Sequence, residues 1–395
     1  MRSSSEADSD SRIREIRRAY PARTARSNIA AVAELADAAG IALPARTHVA
    51  VVVGTNGKTS TATFLGRAAM FAGLRVGVTT SPHIERWGER VQVDGVPVDD
   101  HRLSRRIDDL HAIALRAGRL DELRFFDLLT LAAARIFVEE RVDVAVFEAG
   151  IGGRLDSTRV LRSPLVVLTG VGLDHMEMLG DSEEQILREK LLAASRGTTV
   201  FSAPLTESLA RVAREIAEDG GIDLRFVDSG SDDFLHRNAE LARAAAGKLI
   251  GSDAPRSAAA LLAGGVPGRY ERRRARGIDV IVDAAHNPQA WRELAPLLPE
   301  AFVAVVSASA DRPAGDLRDA LRNARHVIAT EAWPGHSHPA SLLAAGIGAQ
   351  EVVADPVAAV AHGLARAQES GATLVVFGST YLLPHAYRAL RDAGV

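Results

Sequence analysis

The segment Val49-Ala-Val-Val-Val-Gly54-Thr-Asn-Gly57-Lys58-Thr59-Ser60 constrains this 395-residue chain more than any other. A continuous β-branched run reads as a strand buried on both faces, the setting of a parallel sheet covered by helices. The glycines and lysine that follow stand directly before a helical pattern. Leu65, Ala68, Ala69 and Ala72 fall at i, i+3, i+4 and i+7, with Gly73 as a stop. Backbone N–H groups of such a loop close around phosphate oxygens, the helix N-terminus adds positive potential, and the lysine neutralises the terminal phosphates. Nucleotide binding is therefore expected of Gly54, Thr55, Asn56, Gly57, Lys58, Thr59 and Ser60, with Lys58 in a catalytic role. The general phosphate-loop pattern places a glycine five residues before the second, where Val52 stands, so this is a shorter form of it.

Similar apolar runs recur at Val142–Phe147, Leu165–Leu168, Val280–Val282, Phe302–Val306 and Leu374–Phe377, alternating with helical patterns. The expected fold class is α/β: a phosphate-loop ATPase domain with a parallel central sheet, followed by a smaller Rossmann-like α/β domain. Gly and Pro cluster at Gly264-Gly265-Val266-Pro267-Gly268, which sets the expected units at 20–265 and 266–395. The polar residues at the start predict a flexible tail over 1–19. Lys plus Arg is 47 against 50 for Asp plus Glu, a net charge of −3, which argues against nucleic acid as the main partner. The absence of cysteine excludes disulfides, thiolate metal sites and cysteine nucleophiles. No run reaches the roughly 18 apolar residues of a membrane helix, so the expectation is a cytoplasmic protein with no membrane partner.

Further along, ordered motifs resemble the dihydrofolate synthase/folylpolyglutamate synthase family of the muramyl ligase superfamily. They are Thr80-Ser81-Pro82-His83 with Glu89-Arg90, Phe125-Phe126-Asp127, and Glu148-Ala-Gly150-Ile-Gly152-Gly153-Arg154-Leu-Asp156. Gly172-Leu-Asp174-His175, Arg188-Glu189-Lys190, Pro267-Gly268-Arg269, Asp283-Ala-Ala-His286-Asn287-Pro288 and Gly378-Ser379-Thr-Tyr381 follow in the same order. The resemblance implies ATP-dependent amide synthesis. A substrate carboxylate is activated as an acyl phosphate, and the amine of an amino acid then displaces phosphate. Such activation is a chemical need, because a carboxylate does not condense with an amine unaided in water.

By the same resemblance, Mg²⁺ falls to Ser81, Glu148 and His175, with K⁺ as an accessory cation. A carboxylate, an imidazole and a hydroxyl suit a hard cation completed by water. Glu148 and His175 each read as closing an apolar strand, at the sheet edge where ligands bind. Lys190 reads from its surroundings as part of a solvated helical face, whereas the resemblance implies a carbamoylated, catalytic lysine. The usual Ala-Gly-Ile after that lysine is Leu191-Leu192-Ala193 here. Asn238, Arg269 and Asp283 match ATP-contacting positions, and His286 and Ser379 match positions near the incoming amino acid. His286 is suited to orienting or deprotonating the attacking amine. The active site is implied between the two domains, in a single-chain enzyme with small-molecule partners.

Four departures bear on the substrate. Thr59 replaces the glycine usual after the loop lysine, Trp87-Gly88 replaces Phe-Asn, and Arg159 stands where asparagine is usual. The H-Q-x-x-N motif is compressed to Asp233-Phe-Leu-His236-Arg-Asn238 after a short polar loop. Two enzyme readings stay open: L-glutamate added to dihydropteroate and/or folate, or an amino acid added to a non-folate carboxylic acid. A nucleotide-binding scaffold without ligase activity is the third.

Overall fold

The computed structural model describes residues 4–21 and 27–394, which divide into two compact units, Met1–Leu262 and Ala263–Val395. In the first unit the strands are β1 (His48–Val53), β2 (Val76–Thr79), β3 (Val91–Val93), β4 (Val96–Pro97), β5 (Val144–Glu148), β6 (Leu165–Leu168), β7 (Thr199–Ser202) and β8 (Asp223–Phe226). They form one sheet in the order β4-β3-β2-β5-β1-β6-β7-β8. From β2 to β8 in that order every neighbouring pair is parallel, and only the β2–β3 and β3–β4 pairs are antiparallel. β1 has β5 on one side and β6 on the other, so the chain changes direction across the sheet at β1. In such sheets the crevice at the carboxyl ends of the strands is the ligand site.

The helices of this unit are α1 (Ser4–Arg18), α2 (Ile29–Ala38), α3 (Lys58–Phe71), α4 (Asp100–Arg116), α5 (Phe125–Glu139), α6 (Met176–Leu179), α7 (Glu183–Leu191), α8 (Glu207–Gly220), α9 (Phe234–Ile250) and α10 (Ala259–Leu262). α3 buries Phe64, Leu65, Ala68 and Ala69, the face that its spacing marks out, and ends at Ala72 before Gly73. Val49 to Val53 are all buried, as expected of a strand covered on both faces.

The N-terminal tail expected over 1–19 is corrected by α1, although residues 1–3 lie outside the described residues. Ile13, Ile16 and Tyr20 sit at helical spacing and are buried, and α1 packs on α4. Arg12 Nε donates to Asp108 at 2.8 Å across that seam. The polar first ten residues hid an amphipathic helix whose apolar stripe begins only at Ile13.

The second unit is a six-stranded sheet of β9 (Glu271–Ala275), β10 (Ile278–Val282), β11 (Phe302–Val306), β12 (Ala324–Ala329), β13 (Glu351–Val352) and β14 (Thr373–Phe377), ordered β13-β12-β11-β14-β10-β9. All neighbours are parallel except β9, which joins β10 as a hairpin. α11 (Pro288–Leu294), α12 (Arg318–Leu321), α13 (Ala340–Ile347), α14 (Pro356–Ser370) and α15 (Leu383–Asp392) complete it. Phe302 to Val306 are buried throughout, the signature of a central parallel strand. No helix among the described residues is long and apolar enough to cross a membrane.

Candidate active site

The loop between β1 and α3 is shaped by Gly57, whose φ of 81° is left-handed and caps α3. A Cβ added there would lie 2.7 Å from Asn238 Oδ1, so α9 holds a buried amide directly against the loop. Thr55 N donates to Gly170 O at 3.0 Å, and Thr55 Oγ1 both donates to Gly172 O and accepts from Gly172 N. The segment after β6 is thereby tied to the loop.

Two lysines point into the loop from opposite directions in the chain. Lys58 Nζ donates to Gly54 O at 3.0 Å and to Thr55 O at 2.9 Å. Lys190 Nζ donates to Gly54 O at 2.8 Å. Lys190 is 3% exposed, which corrects the solvated-face reading of its helix. The charged neighbours Glu184 and Arg188 face outward, and the lysine occupies the inner face of α7 with Ile186, Leu187 and Leu191. Burial, aided by the charge of Lys58, pulls its pKa from 10.5 down to about 7. Arg154 steadies α7: its backbone N–H donates to Glu189 O at 2.9 Å and its Nε to Glu189 Oε1 at 3.0 Å.

Glu148 is the last residue of β5 and is buried. Thr59 Oγ1 donates to its carboxylate at 3.0 and 3.1 Å, and Ser81 N donates to Oε2 at 2.8 Å. Ser81 and Glu148 are thus brought together, with Thr59 beside them. His175 differs from the expectation: it lies in the loop beyond β6, at the start of α6, with a φ of 50°. Its backbone N–H donates to Asp174 Oδ1 at 3.0 Å, and its Nδ1 is 3.9 Å from Glu177. Among the described residues no group of three or more His, Cys, Asp or Glu gathers as a self-contained metal cluster. A buried carboxylate with hydroxyl-bearing neighbours nevertheless fits a hard cation whose remaining ligands are water and phosphate.

A cavity of about 20 Å³ lies beside Glu148, where Thr79, Thr80, Arg90 and Val91 meet Phe126, Leu129 and Thr130 of α5. Arg90 Nε donates to His83 Nδ1 at 2.8 Å. Burial and then the Arg90 charge push His83 down to about 3, so the imidazole is neutral and Nδ1 is its acceptor. Asp127 is buried at the start of α5, accepts from Ser27 Oγ and from Arg124 N, and is raised by burial to about 6. Asp156 is also buried and raised, and accepts from Thr158 and from Gly150 N. Neither aspartate had been given a role from the sequence, although Phe125-Phe126-Asp127 and Arg154-Leu-Asp156 stand inside quoted motifs. His236, two residues before Asn238, has a buried Nδ1 with no hydrogen-bond partner among the described residues.

In the second unit Asp283 follows β10, is buried and raised by burial, and accepts from Tyr270 N and Ala285 N at 2.6 Å each. Arg269 Nη1 donates to Gly268 O at 3.1 Å, and its charge works on Asp283 in the opposite sense to burial. His286 Nδ1 lies 2.9 Å from Ala284 O; a carbonyl only accepts, so Nδ1 carries the proton and Nε2 is the acceptor nitrogen of the neutral ring. Asn287 caps α11 through Ala290 N. Ser379 follows the adjacent β14, and Gly378 N donates to Ala285 O at 3.1 Å. Asp283, His286 and Ser379 therefore share the carboxyl edge of neighbouring parallel strands. His336 packs on Trp333, and His338 Nε2 lies 2.7 Å from Arg312 O.

A phosphate-type loop at the direction change of a parallel sheet, followed by a smaller parallel α/β unit, defines a two-domain Mur-ligase-type fold. Residues 268–380 match the family model "Mur ligase, glutamate ligase domain". The chain superposes on the Escherichia coli FolC structure in complex with DHPP and ADP with a TM-score of 0.84, at 23% identity and 98% coverage of both chains. A probable bifunctional folylpolyglutamate synthase/dihydropteroate synthase of Halobacterium salinarum is 31% identical over 85% of this chain, the match spanning 46% of that relative's own length. The dihydrofolate synthase/folylpolyglutamate synthase of Mycobacterium tuberculosis is 32% identical over 70% of this chain and 69% of its own. The chain belongs to the dihydrofolate synthase/folylpolyglutamate synthase family.

Proposed function

We propose that the chain is an ATP-dependent acid–amino-acid ligase that couples L-glutamate to dihydropteroate and/or folate. The observation that carries this is the convergence of Lys58, Lys190 and Gly57 on one loop, with buried Glu148, Ser81 and Thr59 at the adjacent strand ends. Phosphoryl transfer depends mainly on positioning and charge neutralisation, and this loop is built for both. Gly54 to Ser60 cradle the phosphates, Lys58 exchanges its loop carbonyls for phosphate oxygens, and Asn238, Arg269 and Asp283 hold the nucleotide. Glu148, Ser81 and His175 are the residues for Mg²⁺, which when bound neutralises charge on the transferred phosphoryl group.

Lys190 is disposed to react with carbon dioxide. At a pKa of about 7 a substantial fraction of its amine is neutral near pH 7, and only the neutral amine attacks carbon dioxide, losing a proton to give a carbamate. On the second unit, His286 Nε2 takes the proton of the attacking ammonium, and Ser379 orients the amino acid. Reaction in the cytoplasm by a single chain, with K⁺ as an accessory cation, belongs to the same proposal.

One observation favours coupling to a non-folate acid instead. A Cβ at Gly88 would come within 2.0 Å of Val98 O, so the asparagine of the usual motif has no room here and the loop takes its own path. The test is phosphate release from Mg-ATP with mass spectrometry, using dihydropteroate or tetrahydrofolate with L-glutamate and a Lys58→Ala control. A product heavier by one glutamyl unit supports the folate reading. Absence of turnover from protein that binds ATP refutes it in favour of another acid.

A further inference from the structure

We propose that the cavity beside Glu148 marks the acyl-substrate side of the site, and that the hydrogen bond from Trp87 to Asp10 is a positioning device through which α1 sets the loop bordering it. This rests on the ligase reading above. Trp87 is 4% exposed, and its Nε1 donates to Asp10 Oδ1 at 2.8 Å, an acceptor 77 residues earlier on α1. Its ring meets His83 edge-on with centroids 4.4 Å apart and Phe125 at 5.6 Å, while the Arg90 guanidinium lies 5.1 Å from its centroid. One indole therefore touches α1, the first residue of α5, and the His83–Arg90 pair that borders the Glu148 cavity.

The neighbours of Trp87 reinforce the link. Arg86 Nη1 pairs with Glu6 on α1 at 3.2 Å. The Glu89 carboxylate accepts from the backbone N–H groups of Ile84, Glu85 and Arg86, and Gly88 N donates to Asp100 Oδ1 at 2.7 Å. The loop from Ser81 to Arg90 is thus held from inside by Glu89, from below by α4 and from outside by α1. At its other end Ser81 donates to Glu148. Arg90 cannot keep both its imidazole acceptor and its aromatic face if the indole turns away, and a buried N–H left without an acceptor makes that turn favourable. Asp10 and Trp87 act through Arg90 and are positioning residues.

The test compares wild type with Asp10→Ala, Asp10→Asn and Trp87→Phe, using dihydropteroate and tetrahydrofolate as acyl probes. Asparagine keeps the acceptor oxygen, and phenylalanine removes the donor. Asp10→Ala and Trp87→Phe are expected to raise KM for the acyl probe about tenfold, with KM for ATP unchanged, and Asp10→Asn is expected to restore it. An unchanged acyl KM in Asp10→Ala, or equal rises for both substrates, overturns the proposal. If wild type turns over neither probe, the folate reading fails by itself. Amide exchange of Ile84, Glu85 and Arg86 then decides: faster exchange in Asp10→Ala that Asp10→Asn reverses supports the latch, and unchanged exchange overturns it.

Discussion

Replacing Lys190 with methionine separates the electrostatic cost of its burial from its packing. The amine has a pKa of about 7 in the folded chain against 10.5 when solvated. That gap of about 3.5 pH units corresponds to about 5 kcal/mol between protonated and neutral forms. Below about pH 7 folded and unfolded chains both carry the proton, and the cost of burying a cation is fully present. Between about pH 7 and 10.5 the unfolded chain keeps a proton that the folded chain has released, so stability rises with pH. Integrated from pH 7 to pH 9, the gain is about 2 kcal/mol. In Lys190→Met this slope disappears, while the lost hydrogen bond to Gly54 O leaves an offset that does not depend on pH. Urea unfolding of both proteins at pH 7, 8 and 9, in carbon-dioxide-free buffer without metal or nucleotide, measures the difference. Wild type should gain about 2 kcal/mol on the variant across the range. A difference constant to about 0.5 kcal/mol, the usual error of additivity, refutes the argument that burial holds this amine neutral.

Gly57→Ala puts a Cβ 2.7 Å from Asn238 Oδ1 at a left-handed position and costs about 1–2 kcal/mol in backbone conformation alone. Calorimetric titration should show ATP affinity lower by about tenfold or more, and that backbone cost should lower the melting temperature by a few degrees. Glu148→Gln keeps the shape of the strand end but removes the charge, so phosphate release should fall by about 100-fold while ADP affinity in EDTA stays at the wild-type value. Thr158→Val deletes the hydroxyl that donates to buried Asp156 at 2.6 Å and should cost about 1–3 kcal/mol, read by thermal unfolding.

The sheet cores were legible because a strand buried on both faces leaves a continuous apolar run. Val49–Val53, Leu165–Leu168 and Phe302–Val306 all sit inside the strands expected of them. β2, β7 and β12 escaped notice: Val76-Gly-Val-Thr79, Thr199-Val-Phe-Ser202 and Ala324-Arg-His-Val-Ile-Ala329 break their runs with small or polar residues. The phosphate loop was readable because its chemistry is local. The environment of Lys190 was not, because its periodicity hides among charged neighbours and its partner, Gly54, lies 136 residues away. The latch on Trp87 was invisible for the same reason: a single polar aspartate in a polar stretch carries no sign of its distant donor.

The hairpin that closes the second sheet has a consequence for how the molecule behaves in crowded solution. β9 is an outer strand, and Arg272 and Arg274 alternate along it as exposed cations, with Arg276 exposed just beyond. At the opposite margin β13 is only two residues long. A neighbouring chain seeking to extend this sheet meets like charge on one side and almost no ladder on the other. The second unit can therefore carry three parallel strands of strongly apolar sequence, β10, β11 and β14, without offering a template for stacking copies of itself, because its two outermost strands are the ones that contribute least to its core.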